Sequence, residues 1–311
     1  MDFVYLILGI TGLLVGTELT IGGALAIARK HHLSELFVGL IVLSIGSDLP
    51  EIAVALDAGM KTFMGQDASG VIVGSAIGSV IAQIGFVLGL AGMLTYLTLP
   101  RRFIYRHGAV LLGATVLLFL VAYDGEISQV EGLTLITFYV VYLIVLLSRE
   151  KVPVEAQATV TEEASWPWTR LVAGLLVVIG CSELTVSSVV RLAYAFNINE
   201  AVISVLIIGL GTSLPELSIS LAAILKKKVH LSVGNIIGSN IFDTLVPISA
   251  AALITPVYFS REILLFDLPY AFILTLAVLY FFAHKRGLQK TESTVVISFY
   301  IAYVLIKLTQ L

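Results

Sequence analysis

The sequence predicts an all-α membrane protein of ten transmembrane helices, in two inverted-topology repeats of five with the N- and C-termini outside. Three observations carry this. Of 311 residues 58% are hydrophobic and 13% charged, with a mean hydropathy of +1.02, too little polar surface to coat a soluble globule of that length. Two near-matching segments, GSDLPEIAVAL (Gly46 to Leu56) and GTSLPELSISL (Gly211 to Leu221), carry acidic residues and proline into apolar sequence. Between them stands one clearly polar stretch, REKVPVEAQATVTEEAS, from Arg149 to Ser165.

Apolar runs of spanning length fall near 3–28, 36–62, 69–95, 103–123, 128–148, 168–196, 200–225, 231–255, 262–283 and 293–309. The chain opens directly into the first, which contains Glu18 and no small-residue cleavage pattern, so it reads as a retained helix and not a signal peptide. The polar stretch divides five spans from five. This gives a first repeat over 1–148, a cytoplasmic linker over 149–165 and a second repeat over 166–311. An odd number of spans per half makes the second half enter the membrane from the opposite side, so the repeats are inverted. The linker's 17 residues leave no room for a folded domain.

Sidedness follows from basic residues. Alternate loops collect Arg29, Lys30, Arg101, Arg102, Arg106, Arg149, Lys151, Arg170, Lys226, Lys227, Lys228, Lys285, Arg286 and Lys290, whereas the other side receives only Lys61, Arg191, Arg261 and Lys307. Fourteen against four places both termini outside and the linker in the cytoplasm. The Lys226 to Lys228 run reads first as a topology signal. The net charge of −3 argues against a nucleic-acid partner, and the single Cys181 forms no intramolecular disulfide.

Each half brings two polar segments into the membrane. The first half has Gly46 to Glu51 and GSAIGSVIAQIG (Gly74 to Gly85); the second has Gly211 to Glu216 and GNIIGSNIFDTL (Gly234 to Leu245). Glu51 and Glu216 lie 165 residues apart, Ser79 and Ser239 160 apart. Pro50 and Pro215 lack a backbone donor and disturb the preceding turn, which frees carbonyls such as those of Ser47 and Thr212. Glutamates next to freed carbonyls are cation ligands, and a hard divalent ion such as Ca2+ takes about six to eight oxygens. Ser79 and Gln83, like Ser239 and Asp243, are four apart and share one helix face. Gly74, Gly78, Gly234 and Gly238 allow close helix approach.

These paired segments, GSDLPE and GTSLPE with GSVIAQ and GSNIFD, resemble the two alpha-repeats of the cation/calcium exchanger superfamily, most closely its prokaryotic Na+/Ca2+ exchanger branch. The resemblance covers the whole chain in span count and repeat order. It implies a ten-helix inverted-repeat antiporter with four central ion sites, in which Glu51 and Glu216 are shared by Ca2+ and Na+. It also implies that Ser47 and Thr212 offer carbonyls and that Asp48, Ser213, Ser79, Ser239, Gln83 and Asp243 occupy the remaining polar site positions. Long helices corresponding to the first of each half slide to switch access in that family. Two positions depart from its pattern: Asp48 where Ser is usual and Gln83 where Asn or Asp is usual.

The departures raise the number of central carboxylates to four, which cannot all stay ionised in a low dielectric without cations. Proton coupling, a K+-dependent cycle and Mg2+ therefore stand beside Na+-driven Ca2+ exchange. Glu18 and Glu183, in GTELTIGG and GCSELTVSS, are again 165 apart and read as structural or pathway acids. Asp57, Asp67, Asp124 and Glu126 read as solvated or vestibule charges. His31, His32, His107, His230 and His284 read as interface anchors near helix ends, and Trp166 and Trp168 as a membrane edge. An intramembrane aspartyl protease built on Asp48 and Asp243 lacks its usual motif, and a channel has no use for proline-broken helices. The sequence thus points to a monomeric, multi-pass antiporter of the cell membrane, its partners the lipid bilayer and the transported cations, with no cofactor and no enzymatic activity.

Overall fold

The computed structural model describes residues 2–149, 166–196, 211, 213–285 and 287–310. Most of the polar linker, Thr212, the first part of the seventh predicted segment (200–210), Lys151 and Arg286 lie outside them. Among the described residues nine helices are long and apolar enough to cross a membrane. They are α1 (Asp2–Lys30), α2 (Glu35–Phe63), α3 (Ser69–Leu94), α4 (Arg101–Val121), α5 (Gln129–Arg149), α6 (Pro167–Ala195), α8 (Val229–Ala252), α9 (Ile263–His284) and α10 (Lys290–Gln310). A shorter apolar helix, α7 (Leu214–Leu225), falls in the seventh predicted segment. The ends of these nine lie within three residues of the predicted ones.

Local chemistry sets several of these ends. Ser34 accepts the Phe37 backbone N–H at 3.1 Å and starts α2. Before α5, Ser128 Oγ accepts the Glu131 N–H at 3.4 Å, while Glu131 Oε2 accepts the Ser128 N–H at 2.8 Å, a reciprocal capping box.

Two short connections report which helix ends lie together. Strand β1 (Glu126–Ile127) pairs antiparallel with β2 (Val257–Tyr258), so the loops after α4 and α8 meet. Leu97 and Leu288 exchange backbone bonds at 3.0 and 2.9 Å, so the loops after α3 and α9 meet at the other end. The sorting of loops by basic residues groups these same pairs.

At the centre stands α8, buried at every residue from Leu231 to Ser249. It reads hydrophobic all round, the pattern of a helix enclosed by others, and α2, α3, α4, α5 and α7 surround it. Close approach to α2 needs small residues. A side chain at Gly234 or Gly238 would meet the backbone of α2 at Leu36 or Leu40, and one at Gly39 would meet the backbone of α8.

Helices α1 and α6 form a second body. They run antiparallel and pack through glycines: Gly9 against Thr185, Gly12 against Cys181, Gly16 against Val177 and Val178, Gly23 against Leu171, and Gly174 against Thr20. Together they supply most of a small apolar core of their own, separate from the main one around α8.

Candidate functional site

The two LPE segments fold alike. α2 breaks at Asp48, whose φ and ψ of −87° and 7° leave the helical region, and α7 follows Ser213 at −88° and 11°. Pro50 and Pro215 occupy the first turn after each break, where a missing N–H costs nothing. Those prolines withhold the donor that the carbonyl four residues earlier, of Gly46 or Gly211, would accept in a continuous helix. Glu51 and Glu216 fall in the same first turns, where the positive end of the helix dipole favours a carboxylate. The sequence thereby makes two acid-bearing helix starts inside the bundle.

Two neighbouring helices complete the site. In α3 a π-helical turn over Gln83–Val87 shifts the helix register beside Gln83, a distortion that concentrates at functional positions. In α8, Ser239 and Asp243 lie one turn apart, and Pro247 withholds the donor that the Asp243 carbonyl would accept.

All four acids are buried; the most accessible, Glu51, is 4% exposed. Carboxylate oxygens of Asp48, Glu51 and Glu216 lie within 4.8 Å of one another. Each ionised pair at that distance repels by on the order of 3–4 kcal/mol at an effective dielectric constant of about 20. Hydrogen bonds answer only part of this charge. Asp48 Oδ1 accepts from Ser239 Oγ at 2.8 Å and from Ser47 Oγ at 3.2 Å. Asp243 Oδ2 accepts from Gln83 Nε2 at 2.9 Å, and Gln83 Oε1 accepts from Asn240 Nδ2 at 3.0 Å. Ser213 donates to the hydroxyl of Ser79 at 3.2 Å, tying α7 to α3.

Six buried carboxylate oxygens are left without a hydrogen-bond partner among the described residues: Asp48 Oδ2, both of Glu51, both of Glu216 and Asp243 Oδ1. Buried anionic oxygens in that state are costly unless cations or protons reach them. The donor set is one of hard oxygens, which suits Na+ or an alkaline-earth ion and not a thiophilic metal.

Nine of the ten predicted site residues are thus buried in the centre of the bundle, and the tenth, Thr212, is not described. Sequence reasoning missed Asn240, which adjoins Ser239 in the same motif but lies off the face shared by Ser239 and Asp243. It also missed Tyr139, whose ring meets Phe242 edge-on at 5.5 Å beside Asp243. No motif in α5 announces that residue; only packing brings it there.

The peripheral acids behave mostly as read. Asp57 pairs with Lys61 at 2.6 Å in solvent. The Ser69 backbone N–H, 3.0 Å from Asp67 Oδ1, holds that carboxyl below its ordinary range. Glu18 and Glu183 are exposed and outside the site, and Glu18 pairs with Lys226 at 2.5 Å. One reading is corrected. His107 is not an interface anchor: it is buried, stacks near Phe103 and shares a 2.9 Å hydrogen bond with Tyr142. The α4 face carrying it turns inward against α5, which a position near a helix end does not reveal. A counterpart between α9 and α10, where Tyr303 donates to buried Asp267 at 3.1 Å, was not foreseen.

An all-helical membrane bundle that buries a cluster of acids at two broken helices has the build of a membrane cation transporter. The comparisons with known proteins agree. The model of the family described as sodium/calcium exchanger protein matches residues 1–148 and 166–309. Inner membrane protein YrbG of Escherichia coli is 31% identical over 262 residues, covering 81% of this chain and 79% of its own. Sodium/calcium exchanger MaX1 of Methanosarcina acetivorans is 25% identical over 98% of both chains. A solved structure of the sodium-calcium exchanger NCX_Mj, soaked with Na+ and Sr2+, is similar with a TM-score of 0.83 and 27% identity, covering 98% of this chain and 97% of that one. The chain belongs to the sodium/calcium exchanger protein family.

Proposed function

We propose that the protein exchanges Ca2+ for Na+ across the cell membrane by alternating access. The observation that carries this reading is the set of six unpartnered carboxylate oxygens, contributed by acids from both halves of the chain and buried beyond the reach of bulk water. In this reading Glu51 and Glu216 bind both ions. Asp48, Asp243, Ser79, Ser239, Gln83 and Ser213 complete the shell, with the carbonyls of Ser47 and Thr212 as further ligands. Seven of these side chains come from the four segments that the motifs mark, and the similarity to MaX1 and NCX_Mj supports the choice of ions.

The proposed architecture is ten spans in two inverted repeats, 1–148 and 166–311, joined by a cytoplasmic linker over 149–165, with both termini outside. The meeting of loops through β1–β2 and Leu97–Leu288 supports the grouping of helix ends, and the excess of basic residues on one side supports its direction. The protein works as a monomer in the bilayer and needs no cofactor.

Exchange follows from electrostatics. With no cation bound, up to four carboxylates would have to pass an apolar barrier, at a cost of several kcal/mol for each unneutralised charge. Binding one Ca2+ or several Na+ offsets that charge and lets access switch, so neither ion returns without the other.

A second reading, Ca2+/H+ exchange, draws on Asp48. Its Oδ2 has no partner, and it stands within 4.8 Å of two other carboxylates, so a proton shared there would offset charge as a Na+ does. Radiolabelled Ca2+ uptake into proteoliposomes, driven in parallel by an internal Na+ load and an internal acid load, separates the two. Uptake with the Na+ load alone, abolished by Glu51→Gln, is the expected result. Uptake only with the acid load transfers the assignment to proton exchange, and uptake with neither overturns the Ca2+ assignment.

A further inference from the structure

The ion pair between Glu18 and Lys226 has an unformed twin. A shift of 165 residues carries Glu51 onto Glu216, and the same shift carries Glu18 onto Glu183 and Lys61 onto Lys226. In the structure Glu18 of α1 pairs with Lys226 at the end of α7 at 2.5 Å. The equivalent pair would join Glu183 of α6 to Lys61 at the end of α2. It is absent: Glu183 is exposed and without a partner among the described residues, and Lys61 bonds instead to Asp57 on its own helix.

The contact between α1 and α6 obeys the same shift. Gly9 meets Thr185, and the shifted pair, Gly174 and Thr20, also meets; Gly12 meets Cys181, and the shifted pair, Val177 and Gly16, meets as well. The two helices are therefore one self-complementary unit in which exchanging the halves leaves the packing unchanged. What breaks the equivalence is how this unit is fastened to the rest, by Glu18 to α7 and not by Glu183 to α2. Lys226 and Lys61 lie at opposite ends of the bundle: Lys226 heads the turn that starts α8, and Lys61 lies in the last turn of α2, near its junction with α3. A sequence that repeats itself can fasten the unit in either of two related ways, with comparable energy.

We infer that Glu18–Lys226 and Glu183–Lys61 are alternative latches of the α1/α6 unit, one closed in each access state. Movement of the unit along its own axis, away from Lys226, releases Glu18 and carries Glu183 toward Lys61, which then leaves Asp57. Asp57 has no acidic twin, since the equivalent position is Ala222, so it holds Lys61 only while the second latch is open. Both latches are partly solvated, Lys226 and Glu18 being 35% and 58% exposed, so each biases the equilibrium modestly and leaves switching reversible. This inference rests on the alternating-access reading of the function but not on which ion drives the cycle.

The test is disulfide trapping of the unformed latch in liposomes. With Cys181→Ser as background, Glu183→Cys and Lys61→Cys are introduced together, and oxidative cross-linking is followed with Lys226 intact and with Lys226→Gln. Cross-linking that increases by about two- to fivefold with Lys226→Gln is expected, the range that loss of one partly exposed ion pair allows. The charge swap Glu18→Lys with Lys226→Glu should return the yield to its starting level. Unchanged cross-linking with Lys226→Gln, or none in either background while the Gly12→Cys pair with native Cys181 cross-links, overturns the inference. Transport is assayed separately. Cross-linking that responds as expected in a protein that moves no Ca2+ with Na+ keeps the latches and rejects only the ion assignment.

Discussion

Ser239 donates its hydroxyl hydrogen to Oδ1 of Asp48 at 2.8 Å, joining the centre of α8 to the break in α2 across 191 positions of sequence. The bond fixes one oxygen of the unusual acid and leaves the other facing Glu51 and Glu216. Asp48 is therefore the residue at which this chain sets its ion selectivity.

Asp48→Ser should keep Ca2+ binding, because Glu51, Glu216 and Asp243 remain, while removing one negative charge from the centre. Uptake assays under parallel Na+ and acid gradients should show a changed dependence on the driving ion with Ca2+ uptake retained. Complete loss of Ca2+ uptake in a folded variant would instead make Asp48 an indispensable ligand.

Glu51→Gln and Glu216→Gln should each reduce exchange to the level of protein-free vesicles. Each replaces a carboxylate with a neutral amide at a position where both oxygens lack a protein partner. Relief of charge repulsion should leave both variants as stable as the parent without Ca2+, or more so, which thermal melting in Ca2+-free buffer would check.

Calcium itself should stabilise the parent protein against heat. A ligand at about 100 times its dissociation constant adds about 2.7 kcal/mol to the folded state. The rise in melting temperature should vanish in the double variant Glu51→Gln with Glu216→Gln; an equal rise there would place Ca2+ binding elsewhere.

Gln83→Leu removes the donor to Asp243 Oδ2 and the acceptor for Asn240. A buried group left unsatisfied costs about 1–3 kcal/mol, so the Ca2+-free protein should melt earlier. The freed carboxylate then has both oxygens available, and the shift in melting temperature produced by Ca2+ should grow. A shift no larger than the parent's would mean that Asp243 does not meet the ion.

Gly16→Val places a side chain against the backbone of Val178, with its Cβ 2.9 Å from the Val178 nitrogen. Backbone cannot yield as a flexible side chain does, so α1 and α6 must separate. Overpacking of this kind costs about 1–3 kcal/mol. Transport should fall with little change in apparent Ca2+ affinity, since the carboxylates lie outside this interface; measuring both in proteoliposomes separates the effects.

Much of this was legible in one dimension. Helix existence follows from apolar length, because no unpaired backbone survives in hydrocarbon, and nine described helices end within three residues of where composition and turn residues put them. The site acids announced themselves because an ionised group in an apolar span is expensive, and their duplication at a constant offset marked the repeat before any packing was known. Position along a helix says nothing of azimuth against neighbours, so His107 was misplaced and Tyr139 and Asn240 were not found. Which oxygens of the four acids are satisfied, that Gln83 binds Asp243, and that Glu18 rather than Glu183 holds its lysine were decided by the tertiary structure. Hydrogen bonds and ion pairs reach only a few ångströms, and residues 160 to 208 positions apart meet at that range only when the bundle is packed.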